Sequence, residues 1–340
     1  NEEMAQMVVK ANGMIELVKG YVPTVDYLME ALTTNSLFTA IIEVLKTLGI
    51  TIIGFIIYIL ISQKIYFKGL VGNLFGGGAS NANKEINQKE YRNSKLYKSY
   101  VGKEFKNMAR NPVFLMQCLI PAVLIPIIMV VVVYAGLNSD GMGLEQITQM
   151  VQQMPTNTFF IACIILGVIQ FFTMFIYISI TAVSRDGENA VFMKYIPVSL
   201  YKQYMYKIIP NIIMNIVTII ITLGMAEYLL NLPVITLIAL FVVATIMGIL
   251  QSIAMIIVDL KRPKLNWDSE YAVAKQNLNL VFPVLLAMVN IVILIGLVFL
   301  LNNINVYIGV GIVGILYIVA TIMINKYLYN KQYELADKII

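Results

Sequence analysis

Long apolar runs alternate with shorter polar stretches along most of the chain. An α-helix needs about 20 mostly apolar residues to cross the hydrocarbon core of a bilayer. The first of the long runs contains Glu43 and Lys46, so its outer end is the least sharply defined. The pattern predicts an all-α, polytopic transmembrane helical bundle with seven spans. These spans are expected at 41–62, 113–137, 157–183, 208–230, 233–258, 278–301 and 304–326.

Composition agrees with a chain that has lipid as its solvent. Of the 340 residues, 59% are hydrophobic and only 13% are charged, whereas soluble domains carry about 25% charged residues. Cys118 and Cys163 lie inside apolar runs near opposite predicted membrane faces, and we expect them to be buried and unpaired.

Catalytic patterns are absent from the sequence. The chain contains no histidine, which excludes a histidine-based metal site or general base. Neither a P-loop motif nor a nucleophile–base pattern is visible. We therefore expect a chain that is not an enzyme and that binds no metal or cofactor of its own.

Lysine and arginine residues fall on alternate connections between the predicted spans. Ten lie in 63–112, four in 184–207 and four in 259–277, and the intervening connections contain none. Because cytoplasmic loops of membrane proteins are enriched in these residues, the N-terminus is predicted to lie outside and the C-terminus inside. The net charge of +5 then reflects topology, and no binding to nucleic acid is expected.

The spans divide unevenly along the chain. A glycine-rich stretch beginning at Gly76 has the composition of a flexible linker. Ser94 to Arg110 reads as a basic amphipathic helix that lies in the membrane interface. Asn111 and Pro112 are typical of a helix N-cap and first helical position. Pro121 and Pro126 predict a kink in the following span.

The expected regions are extracytoplasmic amphipathic helices plus one span (1–62), a cytoplasmic linker (63–93), an interfacial helix with six spans (94–330) and a cytoplasmic tail (331–340).

The connection between the third and fourth predicted spans, loop I (184–199), predicts a short cytoplasmic helix. Asp186 is suited to cap it, Glu188 to its first turn, and Pro197 to end it. Its apolar side chains either pack on the bilayer surface or dock into a cytosolic protein. The candidate docking residues are Asp186, Gly187, Glu188, Phe192, Met193, Lys194, Tyr195 and Pro197.

The connection between the fifth and sixth predicted spans, loop II (259–277), places dense charge around the only tryptophan. The loop is either folded into a specific structure or solvated, with the tryptophan as an interfacial anchor. Its candidate residues are Asp259, Lys261, Arg262, Pro263, Asn266, Trp267 and Asp268.

Two predicted spans carry polar residues at helical spacing. Polar groups inside a membrane usually face the interior of the helix bundle. They form interhelical hydrogen bonds or line a substrate pathway, and the first interpretation is favoured. One row consists of Asn211, Asn215, Thr218 and Thr222, and the other of Gln170, Thr173, Tyr177 and Thr181.

Three stretches resemble a known family: Lys103-Glu104-Phe105-Lys106 with Arg110-Asn111-Pro112-Val113-Phe114, then Ser184 to Ser199, then Asp259 to Asn277. They look like the permease subunits of bacterial ABC exporters of the ABC-2 type. The resemblance covers about residues 94–330.

The resemblance implies an interfacial helix, six spans, and a coupling helix that docks in a groove of a separate ATPase subunit. The coupling helix would be Asp186 to Tyr195. Family members often carry outer helices between their last two spans, where this chain has only a turn at Asn302 and Asn303. Residues 1–62 look like such outer helices followed by a last span, so a first six-span half is expected to precede this one.

The function implied is that of a membrane-spanning permease in the bacterial plasma membrane. The expected partners are a cytosolic ABC ATPase, which would bind ATP and Mg²⁺, membrane lipid, and the missing half or a second permease. A secondary transporter or channel without an ATPase is the alternative. An intramembrane enzyme is disfavoured by the missing catalytic patterns.

Overall fold

The computed structural model describes residues 23–34, 36–79, 96–139, 158–301 and 304–339. Every regular element within these ranges is helical, and none of them is a strand. The prediction of an all-α chain is therefore confirmed.

The chain separates into two compact units. The first contains α1 (Pro23–Thr33) and α2 (Leu37–Ala79), which pack against each other. Within α2, the buried Glu43 pairs with Lys46 at 2.5 Å, so the charges in the first predicted span neutralise one another. The outer helices expected before Pro23 lie outside the described residues.

Helix α2 extends well beyond the predicted end of the first span at residue 62. Part of the predicted linker is therefore helical up to Ala79, while residues 80–93 lie outside the described residues. Apolar positions continue at the spacing of a helix face through this extension. They are Phe67, Leu70, Val71, Leu74 and Phe75.

The second unit contains the described elements from residue 96 to Ala135 and from residue 158 onward, so the last four residues of the helix that ends at Ser139 belong to the first unit. A π-helical stretch, Leu115–Leu119, joins α4 to α5, and two 3₁₀ segments cover Ser184–Lys194 and Leu278–Leu280. Its α-helices are α3 (Leu96–Arg110), α4 (Pro112–Phe114), α5 (Ile120–Ser139), α6 (Thr158–Thr173), α7 (Leu200–Leu230), α8 (Val234–Lys261), α9 (Glu270–Lys275), α10 (Val281–Leu300), α11 (Val306–Asn330) and α12 (Gln332–Ala336).

Helix α4 begins as the sequence predicts. The Asn111 side chain accepts hydrogen bonds from the backbone N–H groups of Val113 at 3.0 Å and Phe114 at 3.3 Å, with Pro112 in the first turn. The π-helical stretch that follows lies just before Pro121, which has no N–H to continue the α-helical ladder. The kink predicted at the two prolines of this span stays a prediction, and the structure shows a π-helical stretch separated from Pro121 by one residue.

Within the described ranges, six helices are long and apolar enough to cross a bilayer. This agrees with a membrane-embedded protein. The six are Leu37–Gln63, Pro112–Val132, Leu200–Leu230, Val234–Lys261, Glu270–Leu300 and Val306–Asn330. The hairpin turn predicted at Asn302 and Asn303 lies outside the described residues.

The predicted span at 157–183 differs from the structure, because α6 ends at Thr173. Its 16 residues extend about 24 Å, less than the hydrocarbon core of about 30 Å. The following residues, 174–183, are mostly buried but not α-helical. Tyr177 and Thr181 therefore do not continue the helical row begun by Gln170 and Thr173.

Side chains from other elements bond the backbone of this non-helical stretch. The N–H of Ser179 donates to Asn211 Oδ1 at 3.2 Å, and the carbonyl of Ile178 accepts from Arg185 Nη1 at 2.6 Å. Irregular backbone at membrane depth is tolerated only where protein buries and satisfies it, and these two bonds contribute to that requirement.

The packing centre of the second unit is α8, which lies against both α7 and α11. Its buried Gln251 bonds Gln170 Nε2 at 2.9 Å and Thr173 Oγ1 at 3.1 Å, which ties α6 to α8. Cys118 and Cys163 are buried free thiols, as expected.

Candidate functional site

Loops I and II meet at Ser184. The indole N–H of Trp267 donates to the Ser184 carbonyl at 2.9 Å, and the backbone N–H of Lys264 donates to Ser184 Oγ at 2.9 Å. From the end of α8, the buried Asp259 carboxylate accepts from the N–H groups of Val183 at 2.6 Å and Ser184 at 3.1 Å, and from the Ser184 hydroxyl. Loop II is thus folded onto loop I.

Gly187 makes this close approach possible. Its φ of +56° lies in a region that residues with a side chain rarely adopt, and a Cβ there would meet Trp267 Nε1 at 3.2 Å and Leu265 O at 3.3 Å. The backbone break at Gly187 divides the 3₁₀ segment Ser184–Lys194. Loop I is therefore not the single short helix predicted for it.

The predicted helix-capping role of Asp186 is wrong. The 3₁₀ segment has Val183 at its N-cap position, with no side-chain cap. The Asp186 carboxylate instead faces Lys207 Nζ at 2.6 Å and Lys103 Nζ at 3.6 Å. An ammonium group binds a carboxylate more strongly than a backbone N–H does, because both partners are charged.

A buried ion-pair network links loop I to α3 and α7. Lys207 Nζ of α7 lies 2.8 Å from Glu104 Oε1 of α3, and Arg185 Nη2 of loop I lies 3.3 Å from Glu104 Oε2. We define the charge cluster as Glu104, Arg185, Asp186 and Lys207. It holds two cations and two anions, so its charges balance.

Backbone oxygens add hydrogen bonds to both cations. Lys207 Nζ donates to Ala182 O at 2.9 Å, and Arg185 Nη1 donates to Ile178 O at 2.6 Å. Arg185 Nη1 also donates to Thr181 Oγ1 at 2.7 Å. Buried charges are tolerated only when paired and hydrogen-bonded. Both cations are paired, and of their nitrogen atoms Arg185 Nε alone is buried without a hydrogen-bond partner among the described residues. The charge cluster therefore joins α3, loop I and α7.

The electrostatic balance at Asp186 favours its charged form. Burial raises the pKa of this carboxyl, but the neighbouring Lys207 and Lys103 ammonium groups outweigh burial, and its net pKa lies below the ordinary value. Asp186 is therefore an anion at neutral pH.

An exposed aromatic tip lies beyond this anchored base. Phe192 is 62% exposed and Tyr195 is 76% exposed, and we call these two residues the aromatic tip. Gln203 of α7 holds the loop beneath them, because its Nε2 donates to Met193 O at 2.9 Å and to Val198 O at 2.8 Å. The structure thus presents two large apolar side chains on a fixed support.

Other candidate residues of loop I divide between surface and core. Met193, expected to be available to a partner, is buried because it packs in the core cluster that contains Ile208 and Leu260. Gly187 is also buried. The exposed candidates are Glu188, Lys194 and Pro197.

Two of the remaining loop II candidates form further contacts. Lys261 Nζ lies 5.0 Å from the centre of the Tyr327 ring, and Arg262 O accepts from Asn279 Nδ2 at 2.8 Å. The other three are partly or fully exposed: Pro263, Asn266 and Asp268.

The polar row of α7 forms hydrogen bonds inside the bundle. Asn211 Nδ2 donates to Ser252 Oγ at 2.8 Å, Asn215 Nδ2 donates to Gly248 O at 3.2 Å, and Thr218 Oγ1 donates to Ala122 O at 2.6 Å. Thr222 donates to Thr218 O at 2.8 Å within α7. All four side chains are buried, which supports helix packing over a pathway for this row.

Sequence reasoning missed the charge cluster, although signals for it exist. Lys207 lies four residues before Asn211, so the polar row of α7 continues into the cluster. Glu104 is the only acidic residue of α3, and it lies four residues from both Tyr100 and Met108 on the predicted apolar face. An acid in that position indicates a buried partner.

Metal binding has no support in the described part of the chain, where no group of three or more Cys, Asp or Glu side chains could hold an ion. No protein-family model, curated protein or solved structure matches the chain. The resemblance to ABC-2 permeases therefore rests on the quoted residues alone.

Proposed function

We propose that the chain is the membrane-spanning permease subunit of an ATP-driven ABC exporter in a bacterial plasma membrane. It would couple ATP hydrolysis by a separate cytosolic ATPase to substrate export. The observation that carries this proposal is the aromatic tip, two exposed aromatic side chains on a loop anchored by buried charges. Aromatic side chains are typical anchors of protein–protein interfaces.

The proposal includes the full topology. Helix α6 together with 174–183 would form the seventh span, with the N-terminus outside and the C-terminus inside. The lysine and arginine distribution supports this orientation. Loops I and II then lie on the cytoplasmic side, where an ATPase is accessible.

Force applied at the aromatic tip has two direct routes into the spans. Through Asp186 and Lys207 the tip is connected to α7, and through Ser184 and Asp259 it is connected to α8. In this scheme the partner binds ATP and Mg²⁺, and ATP-driven closure of the partner displaces loop I. The chain itself performs no chemistry.

Substitution of the aromatic tip tests the proposal. The tagged chain is purified in mild detergent from its native membranes, and vanadate-sensitive ATP hydrolysis is measured in the eluate. Phe192→Glu combined with Tyr195→Ala should lower co-purified ATPase activity by about 30-fold, the effect of losing a contact of about 2 kcal/mol. Tyr333→Ala is the matched control, because Tyr333 is a 68% exposed aromatic residue elsewhere.

Two results would contradict the proposal. One is an eluate without ATPase activity from native membranes. The other is equal activity with the wild-type and tip-substituted chains. A secondary transporter or channel would in addition show transport in reconstituted vesicles that follows an ion gradient without ATP.

A further inference from the structure

A basic groove of about 1150 Å³ runs between α3 and loop I. One wall is a face of α3, and the other comes from loop I around Gly187 and Phe192. Leu265 and Trp267 of loop II complete the lining. The volume is slightly above the range of about 300–1,000 Å³ that is typical of small-ligand sites.

Positive charge dominates the α3 wall. Lys98, Lys103, Lys106 and Arg110 all line the groove with exposed side chains. Lys103 faces Asp186 at 3.6 Å. Within the described ranges, the other three make no salt bridge.

The acidic residues that line the groove do not neutralise this wall. They are Asp186, whose closest cation is Lys207 of the charge cluster at 2.6 Å, and Glu188. Arg185, the fifth cation of the lining, is itself paired with Glu104. The groove therefore carries excess positive charge that is suited to an anionic group.

The groove lies beside the start of a candidate membrane span. Arg110 is separated by one residue from Pro112, where a helix long and apolar enough to cross a bilayer begins. Basic pockets beside spans on the cytoplasmic side are a recognised type of site for anionic lipid headgroups. Apolar Leu265 and half-buried Trp267 in the same lining suit the glycerol and upper acyl region of a lipid, which a free phosphate lacks.

We propose that this groove binds the headgroup of an anionic phospholipid, with the lipid phosphate facing Lys106 and Arg110. Occupancy brings the lipid against Trp267, and with it against the contact between loops I and II. This site does not depend on the existence of a partner ATPase.

Trp267, the only tryptophan of the chain, reports on the site directly. The purified, delipidated chain is titrated in neutral detergent micelles with phosphatidylglycerol that carries bromine on its acyl chains near the glycerol. Bromine quenches tryptophan fluorescence at short range. Brominated phosphatidylglycerol should quench Trp267 at lower mole fraction than brominated phosphatidylcholine, and rising salt should diminish the difference.

The variants Lys106→Gln and Arg110→Gln separate specific binding from general attraction to the micelle. Each should weaken the preference for phosphatidylglycerol by about fivefold, and the double variant by about 25-fold. The matched control is Lys202→Gln with Lys326→Gln, which removes two exposed lysines outside the groove lining. Equal melting temperatures without lipid would show that the variants are folded.

Four outcomes would overturn the proposal. Equal quenching by the two lipids, or an unchanged preference in the double variant, would exclude a headgroup site. Displacement of the brominated lipid by millimolar inorganic phosphate would assign the groove to a soluble anion. Displacement only by an acidic peptide would assign it to a protein partner.

Discussion

Trp267 donates its indole N–H to the backbone oxygen of Ser184, 83 residues away in sequence, across 2.9 Å. With the carboxylate of Asp259 on the Ser184 N–H, this bond makes loops I and II one structural unit. A partner that displaces the aromatic tip would consequently move the end of α8 as well as loop I.

Replacing Trp267 with phenylalanine keeps an aromatic ring but removes the donor to Ser184. Loss of one hydrogen bond costs about 1 kcal/mol, and the melting temperature in detergent should fall by about 2–4 °C. Tyr333→Phe provides the control, because Tyr333 is exposed. A melting temperature equal to that of the wild type would show that the bond contributes nothing to stability.

The charge cluster should respond non-additively to substitution. Lys207→Met leaves Glu104 and Asp186 with Arg185 as their only buried cation, and breaking a buried pair in this way costs about 3–5 kcal/mol. Adding Glu104→Gln removes the opposite charge and restores the balance. The double variant should therefore be more stable than the sum of the two single effects predicts, as measured by chemical denaturation in detergent. Strictly additive losses would mean that the charges do not interact.

Local signals in the sequence were sufficient for the helical class and for the start of α4. The N-cap at Asn111 depends on neighbouring residues and was predictable from them, whereas the π-helical stretch before Pro121 was not predicted. Hydropathy depends only on the residues within a sequence window, so the long apolar helices could be predicted without knowledge of tertiary contacts.

The end of α6 was not predictable in the same way. Residues 174–183 are mostly apolar whether they are helical or irregular, so hydropathy does not distinguish the two. In the irregular form, Asn211 and Arg185 bond the backbone of Ser179 and Ile178. A weak local signal exists in the β-branched residues of this stretch, which have lower helix propensity.

The charge cluster required long-range information. By sequence, Arg185 and Lys207 belong to the cations of the predicted connection 184–207. In the structure both are buried against Glu104. Their partner is 81 and 103 residues away in sequence. Nothing in the sequence near Arg185 or Lys207 indicates Glu104 as the partner of either.

The contribution of Asp186 to stability should depend on pH. Burial raises the pKa of its carboxyl, the Lys207 and Lys103 ammonium groups outweigh burial, and its pKa in the folded chain is lowered. A lowered pKa means that the stabilisation is fully present above the unfolded-state pKa, about 3.9, and is lost as pH falls through the folded-state pKa. Wild type should thus exceed Asp186→Asn in melting temperature by a constant amount between about pH 5 and pH 7.

The same comparison at lower pH checks the sign. Below about pH 4 the difference between wild type and Asp186→Asn should shrink, because protonation removes the charge that the variant lacks. A difference that grows on acidification would show that Asp186 is destabilising in its charged form.

Asn211 should matter more to the irregular stretch than its neighbours in the polar row of α7. Its Oδ1 accepts from the Ser179 N–H at 3.2 Å, whereas the Thr222 hydroxyl donates at 2.8 Å to a carbonyl of its own helix. Asn211→Leu removes the acceptor from a buried amide, which costs about 1–3 kcal/mol. Thr222→Val preserves the shape of the side chain, and the Thr218 carbonyl remains within the helix ladder, so its cost should be smaller.

Hydrogen exchange in detergent distinguishes the two variants locally. Amides of 174–183 should exchange at least about tenfold faster in Asn211→Leu, the effect of losing about 1.4 kcal/mol of local stability. Thr222→Val should leave their exchange unchanged while altering that of α7 at most slightly. Equal protection of 174–183 in both variants would show that packing alone holds the irregular backbone, and that the Asn211 hydrogen bond is not required to end α6 at Thr173.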